Sequence, residues 1–256
     1  MAEIISNKYY NEQSVFLPEN LLREARRQKN KKECKVPAIC LLDPDGDLAD
    51  YLLRKKFAVK NECWACYHSS LYTSQLNDFE IGIIPCVVGS SYAVLVAEQL
   101  FVSGCKLLIS VTSAGIIKKP DTEKRFALIT SAVRDEGTSY HYLPPDELSE
   151  LHKDIKGLLD SSREKDGCPF FEATSWTTDA PYRETPTAIE NMKKLNVACA
   201  AFRYLKKVSG ADAALCSAKQ QMQNNICPTL LRRGSIAPAK WLRIHNIMVH
   251  RQQSSQ

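Results

Sequence analysis

GSSYAVLVAEQLFVSGCKLLISVTSAG, residues 89–115, decides the fold. Gly89, Ser90 and Ser91 punctuate the end of an apolar run and can open a helix. The next residues, 92–103, are apolar almost all round, so that helix must lie in a core or an interface. Gly104 ends it, and CKLLISVT (105–112) follows as a buried strand. A strand, a Gly/Ser turn, a helix and a second strand make a βαβ unit. Such a unit implies parallel pairing.

Working outward, VPAICLLD (36–43) and FEIGIIPCVV (79–88) read as buried strands, with WACYHSSLYTS (64–74) as another. LADYLLRKK (48–56) reads as a helix with basic residues in its last turn, where the dipole favours them. Residues 19–31 predict a helix near the N-terminus. RFALITSAVR (125–134) and PFFEATSW (169–176) predict further strands. Helices are expected over 144–165, with Leu148, Leu151, Ile155 and Leu158 on one stripe, and over PTAIENMKKL (186–195). This order predicts an α/β fold: a three-layer domain with a twisted mixed β-sheet flanked by helices. No repeat or low-complexity linker breaks it. The expected division is a polar basic segment over 1–35, the α/β domain over 36–217, and a basic tail over 218–256.

The chain has 256 residues, 44% of them hydrophobic and 25% charged, with a net charge of +5. That composition describes a soluble globular protein able to bury a sizeable core. The basic run REARRQKNKK (23–32) reads as a solvated helix face rather than a nucleic-acid site. No stretch has the eighteen apolar residues of a membrane span, and the start lacks a signal-peptide core. A cytoplasmic setting is therefore expected, with no nucleic-acid or membrane partner. Of the ten cysteines only Cys63 and Cys66 form a close pair, without the second pair a zinc site needs, so no metal is expected. Cys40, Cys86, Cys105 and Cys216 lie in apolar runs and read as reduced thiols acting as small hydrophobes.

Ligands of open α/β sheets bind beyond the carboxyl ends of the strands. Four polar loops fall there: residues 89–91, 112–115, 134–137 and 177–184. Three adjacent charges, Arg134, Asp135 and Glu136, precede Gly137 and the aromatic trio Tyr140-His141-Tyr142. In their order, GSS at a helix start, VTSAG after the next strand, AVRDEGTSYHY and TTDAPYRET resemble the nucleoside phosphorylase superfamily, in its uridine and purine nucleoside phosphorylase-like branch. The resemblance covers residues 36–195. It implies cleavage of a nucleoside N-glycosidic bond by phosphate, giving free base and ribose 1-phosphate in purine or pyrimidine salvage. It implies a homo-oligomer, dimer or hexamer, and no cofactor beyond phosphate as co-substrate.

The resemblance carries the following site. Gly89, Ser90, Ser91, Thr112, Ser113 and His68 are candidates for phosphate and ribose. Asp179 and Arg183 are the catalytic candidates near the base. Arg134 and Glu136 are further candidates, with an ion pair between Arg134 and Asp135 or Glu136 as the structural alternative. For Ser90 and Ser91 the alternative is helix N-capping, and for His68 it is a satisfied strand histidine.

The sequence departs from the family in two places. The three phosphate-binding arginines are missing: the first turn is DPDGDLAD, Ile109 stands at the second position, and Ser69 follows His68. Without guanidiniums, bidentate phosphate recognition is lost. The run LNVACAAFRYLKK (195–207) also lacks the Glu-Met-Glu whose carboxylate holds the ribose in the family. No acidic residue follows Asp212. Two alternatives to phosphorolysis follow: a nucleosidase of the same fold that uses water, and a catalytically impaired nucleoside-binding or oligomerising relative. Residues from Asn196 onward are expected to pack less well than the body.

Overall fold

The computed structural model describes residues 8–118, 126–145, 148–151, 155–156 and 170–200. The basic tail and most of the helix expected over 144–165 lie outside them. Parallel strands β1 (Ile39–Asp43), β4 (Phe79–Pro85) and β5 (Leu107–Ser110) form the centre of the first sheet. Every residue of β1 and β5 is buried, as expected of parallel strands covered on both faces. Antiparallel β3 (Tyr72–Leu76) and β2 (Ala58–Lys60) extend the sheet beyond β4, giving the order β2-β3-β4-β1-β5. A Cβ at Gly82 of β4 would lie 2.7 Å from the Cys40 sulfur, so only glycine fits that contact.

The second sheet runs β6-β10-β9-β7-β8. Its long members β7 (Phe126–Asp135) and β9 (Phe170–Thr178) are parallel. β10 (Cys199–Ala200) continues the parallel set, while β6 (Gly115–Ile116) and β8 (Leu148–Glu150) pair antiparallel at its edges. Residues 148–150 are thus a strand, not the start of the expected helix. Their backbone satisfies the open edge of β7, and edge pairing overrides a helical apolar stripe. Val197, Cys199 and Ala200 are buried, so packing extends past Asn196 as far as the structure describes the chain.

Helix α3 (Ser90–Val102) lies between the first sheet and α1 (Pro18–Gln28). Its Ala93, Val96, Ala97 and Leu100 join a core with Leu42, Trp64, Ile84 and Leu108. Its Val102 packs against a cluster of Leu22, Ala25 and Ala65, two of which belong to α1. Much of the apolar surface of α3 is thus covered within the chain, while its Leu95 stays 39% exposed. On the other sheet face, α2 (Asp47–Arg54) contributes Ala49, packed with Ile39, Leu41 and Ile83. α4 (Pro186–Lys194) follows the last long strand.

Cys63 forms a disulfide with Cys34, which ties the segment after α1 to the loop before β3. Neither is among the cysteines read from the sequence as reduced thiols, and of those Cys40, Cys86 and Cys105 are free. Cys40 and Cys105 are buried free thiols, whereas Cys86 is exposed. Burial is the main cause that raises the Cys40 thiol well above its ordinary range. Among the described residues no helix is long and apolar enough to cross a membrane.

Candidate functional site

Strands β1, β4 and β5 run the same way, so the loops after Asp43, Pro85 and Ser110 emerge at one end of the first sheet. The turn after β1 closes through the Gly46 amide, which donates to the Asp43 carbonyl at 3.0 Å. Gly46 has φ +79°, a conformation that suits glycine. The turn aims Asp45 at the loop after β5. Its Oδ2 accepts the Ser113 amide at 2.5 Å and the Thr112 hydroxyl at 3.2 Å; its Oδ1 accepts the Ser113 hydroxyl at 3.1 Å. A backbone N–H and two hydroxyls thus converge on one carboxylate. Sequence reasoning placed Thr112 and Ser113 at an anion but missed Asp45. The acidic DPDGD turn was the signal.

Asp43, just inside, is buried and accepts the Ala49 amide at 2.9 Å. Burial raises its pKa to about 6, and the neighbouring Asp45 and Asp47 carboxylates add to the rise.

A second group of loops meets beside the first. The Ser91 and Thr138 hydroxyls hydrogen-bond at 3.1 Å, and the Gly137 amide donates to Asp179 Oδ2 at 2.9 Å. The starts of α3, the 137–138 loop and the 179–183 loop are therefore tied together. Gly89 is the helix N-cap residue, with φ +89° and no side-chain cap bond, so neither serine supplies the alternative capping role. Ser90 is buried. His68 is exposed rather than in a strand, and its carbonyl accepts the Tyr92 hydroxyl at 2.7 Å. Arg183 ends a short 3-10 turn (Pro181–Arg183) and is exposed.

The three charges before Gly137 serve this loop. Buried Arg134 donates to the Ser139 hydroxyl at 2.8 Å and the Pro144 carbonyl at 2.6 Å, and lies over the Tyr140 ring at 4.3 Å. Glu136 accepts the Thr138 and Ser139 amides, at 2.8 Å and 3.1 Å from Oε2. Asp135 accepts the Trp176 indole N–H at 3.0 Å. The expected ion pair with Arg134 is therefore replaced: both carboxylates take N–H donors, and the guanidinium staples residues 139–144. Planar guanidinium with five donors suits that task. Arg134 and Glu136 shape the loop that borders the site.

A family model described as the phosphorylase superfamily matches residues 38–200. No curated protein sequence matches the chain. Among solved structures, uridine phosphorylase from Vibrio fischeri ES114 superposes with a TM-score of 0.56 at 13% identity. That match covers 80% of this chain and 96% of the other. A futalosine hydrolase mutant of Helicobacter pylori strain 26695 gives 0.55 at 12% identity, over 77% and 100% of the two chains. AMP nucleosidase from Bacteroides thetaiotaomicron VPI-5482 gives 0.56 at 15%, over 73% and 79%. At these identities the likeness is one of fold.

Proposed function

We propose, from the premise that the chain belongs to the phosphorylase superfamily, that it cleaves the N-glycosidic bond of a purine or pyrimidine nucleoside with water, not phosphate, as the acceptor. The observation that carries this reading is Asp45. Its carboxylate takes the Ser113 amide and the Thr112 and Ser113 hydroxyls, the donors a phosphate would need. A phosphate entering there would meet a like charge without an arginine to offset it, since the DPDGDLAD turn has none and Ile109 and Ser69 stand at the other two positions where the resemblance expects guanidiniums. Structural neighbours include both a phosphorylase and hydrolases, so the fold accommodates either acceptor.

The chemistry follows from the same group. A carboxylate has about four lone-pair sites. Three donors fill three of them and leave one on Oδ1. That site can orient a water toward C1′, and the negative charge stabilises the oxocarbenium-like transition state. Water oxygen bonds to C1′ as the C1′–N bond breaks. The bond's electron pair leaves with the base, and the water proton ends on the base nitrogen. Asp179 and Arg183 border the base side. Turnover is slow, because the chain lacks the family's ribose carboxylate. A hydrogen bond to a charged group contributes about 1.5–3 kcal/mol, or about one to two powers of ten in rate.

The test is base release from a nucleoside panel with and without phosphate, with identification of the sugar product. Free sugar at a phosphate-independent rate is expected, falling about tenfold or more in Asp45→Asn. Release that requires phosphate and yields a sugar 1-phosphate would overturn the reading and restore phosphorolysis.

A further inference from the structure

One sulfur pair plays no part in the glycosidic chemistry. Cys34, between α1 and β1, is disulfide-bonded to Cys63, with a sequence separation of 29 and their Cα atoms 5.2 Å apart. Cys63 opens the run Cys63-Trp64-Ala65-Cys66, the close pair seen in the sequence, yet its partner is Cys34. Cys66 is free and 2% exposed. Cys34 is exposed and Cys63 half-buried. Exposed disulfides are the more readily reduced ones. Lys31, Lys32 and Lys35 stand close to Cys34 in sequence, and the adjacent Glu33 is paired with Arg26 at 3.9 Å. Excess positive charge favours approach of a thiolate and stabilises the thiolate it displaces.

The two sides of the bond differ in how firmly they are held. On the Cys63 side, Asn61 Oδ1 accepts the Cys63 and Trp64 amides at 2.9 Å and 3.1 Å. The Trp64 indole N–H donates to the Ser69 hydroxyl at 2.9 Å, and the Asn61 amide donates to the Leu71 carbonyl at 2.8 Å. That loop keeps its shape without the disulfide. On the Cys34 side the non-covalent ties are weaker. Lys29 Nζ donates to the Ala65 and Cys66 carbonyls at 3.1 Å and 2.5 Å, and Lys31 Nζ to the Glu62 carbonyl at 2.9 Å and its carboxylate at 3.2 Å. Lys29 and Glu62 are exposed, and contacts of exposed ammonium groups contribute little. The apolar contact of α1 here is a small cluster, Leu22 and Ala25 with Ala65 and Val102. Opening the bond therefore frees residues 29–35 and the end of α1 while leaving loop 61–71 in place.

We propose that Cys34–Cys63 is a reversible thiol–disulfide exchange site, a latch that small dithiols open and small disulfides close. Its state sets how firmly residues 29–35 and the end of α1 hold to the body. In the opening step a thiolate of the dithiol bonds to the Cys34 sulfur, the Cys34–Cys63 bond breaks, and Cys63 leaves as a thiolate. The second thiol of the reagent then attacks the mixed disulfide and releases Cys34. The two cysteines gain two electrons and two protons, and the dithiol becomes its cyclic disulfide.

The test uses the full chain, equilibrated with dithiothreitol or with oxidised glutathione. Free thiols are alkylated and mapped by mass spectrometry, and tryptic cleavage of the native chain is timed. Cleavage after Arg26, Arg27, Lys29, Lys31, Lys32 and Lys35 should quicken at least about tenfold on reduction, since cleavage follows the population of the open segment and a disulfide restrains it. Cleavage after Lys193 and Lys194 of α4 should not change and serves as the reference. Oxidised glutathione should restore the slow rate. Cys34→Ser should give the fast rate in both buffers; the wild-type comparison decides the matter if that variant does not fold. A bond that stays closed in dithiothreitol while the chain is native, a different partner for Cys34 or Cys63, or equal cleavage rates in the two buffers would overturn the proposal. None of these readouts uses base release, so the latch and the hydrolytic reading fail separately.

Discussion

At the Asp45 corner three donors from the loop after β5 converge on one carboxylate of the same chain. At Gln99 of α3, a buried carbonyl oxygen has no hydrogen-bond partner among the described residues. The two corners are joined through neighbouring loops, yet one satisfies its polar groups internally and the other does not. The difference is physical. Asp45 sits on a short glycine-containing turn that can swing a carboxylate onto exposed N–H and O–H groups. Gln99 sits mid-helix, where packing buries its side chain and its Nε2 is taken by the Leu95 carbonyl. Satisfaction by a carboxylate closes a site to anions.

The largest effect is expected from Arg134, which holds the loop bordering the Gln99 corner. Arg134→Met removes the bonds to Ser139 and Pro144 and the contact with Tyr140. A loss of about 3–5 kcal/mol is expected in urea unfolding. The Asp45 bonds to Thr112 and Ser113 should survive, since none of them involves Arg134. A change under about 1 kcal/mol would show that the loop holds its shape without the guanidinium.

Next in size is a pH effect at the Asp45 corner. Burial raises the Asp43 pKa to about 6 from 3.8, with Asp45 contributing. The folded state therefore binds the proton more tightly than the unfolded state. This contribution to stability is fully present below pH 3.8 and is lost as pH rises through about 6. The loss is about 3 kcal/mol. Urea midpoints measured between pH 4 and pH 7 should show it as a decline on top of the chain's other titrations. Asp43→Asn should flatten that decline, and Asp45→Asn should reduce it. Identical pH profiles for wild type and Asp43→Asn would refute the assignment.

The smallest effect lies outside both corners and calibrates them. Thr185 caps α4, its hydroxyl accepting the Ala188 amide at 3.3 Å. Thr185→Ala should cost about 1 kcal/mol in thermal unfolding, without changing the phosphate dependence of base release. A shift in that dependence would extend the site beyond the loops named above.

Much was legible in the sequence where physics is local or periodic. Continuous apolar runs specified β1, β4 and β5, since a strand buried on both faces needs no polar residue. The 89–115 stretch specified the turn, α3 and β5 together, and the loops in their chain order carried the family. What the tertiary structure decided involves partners far apart in the chain. Asp45 meets Ser113 across 68 residues, and a sequence window cannot show which carboxylate reaches which donor. Cys63 pairs with Cys34 rather than with Cys66, because the fold brings the segment after α1 to the loop before β3. Residues 148–150 became a strand because β7 offered an unpaired edge. α1 covers α3, which periodicity could place only in a core or an interface. Composition and periodicity determine which residues must be buried; only the assembled chain determines which neighbour buries each one, because those neighbours lie far apart in the sequence.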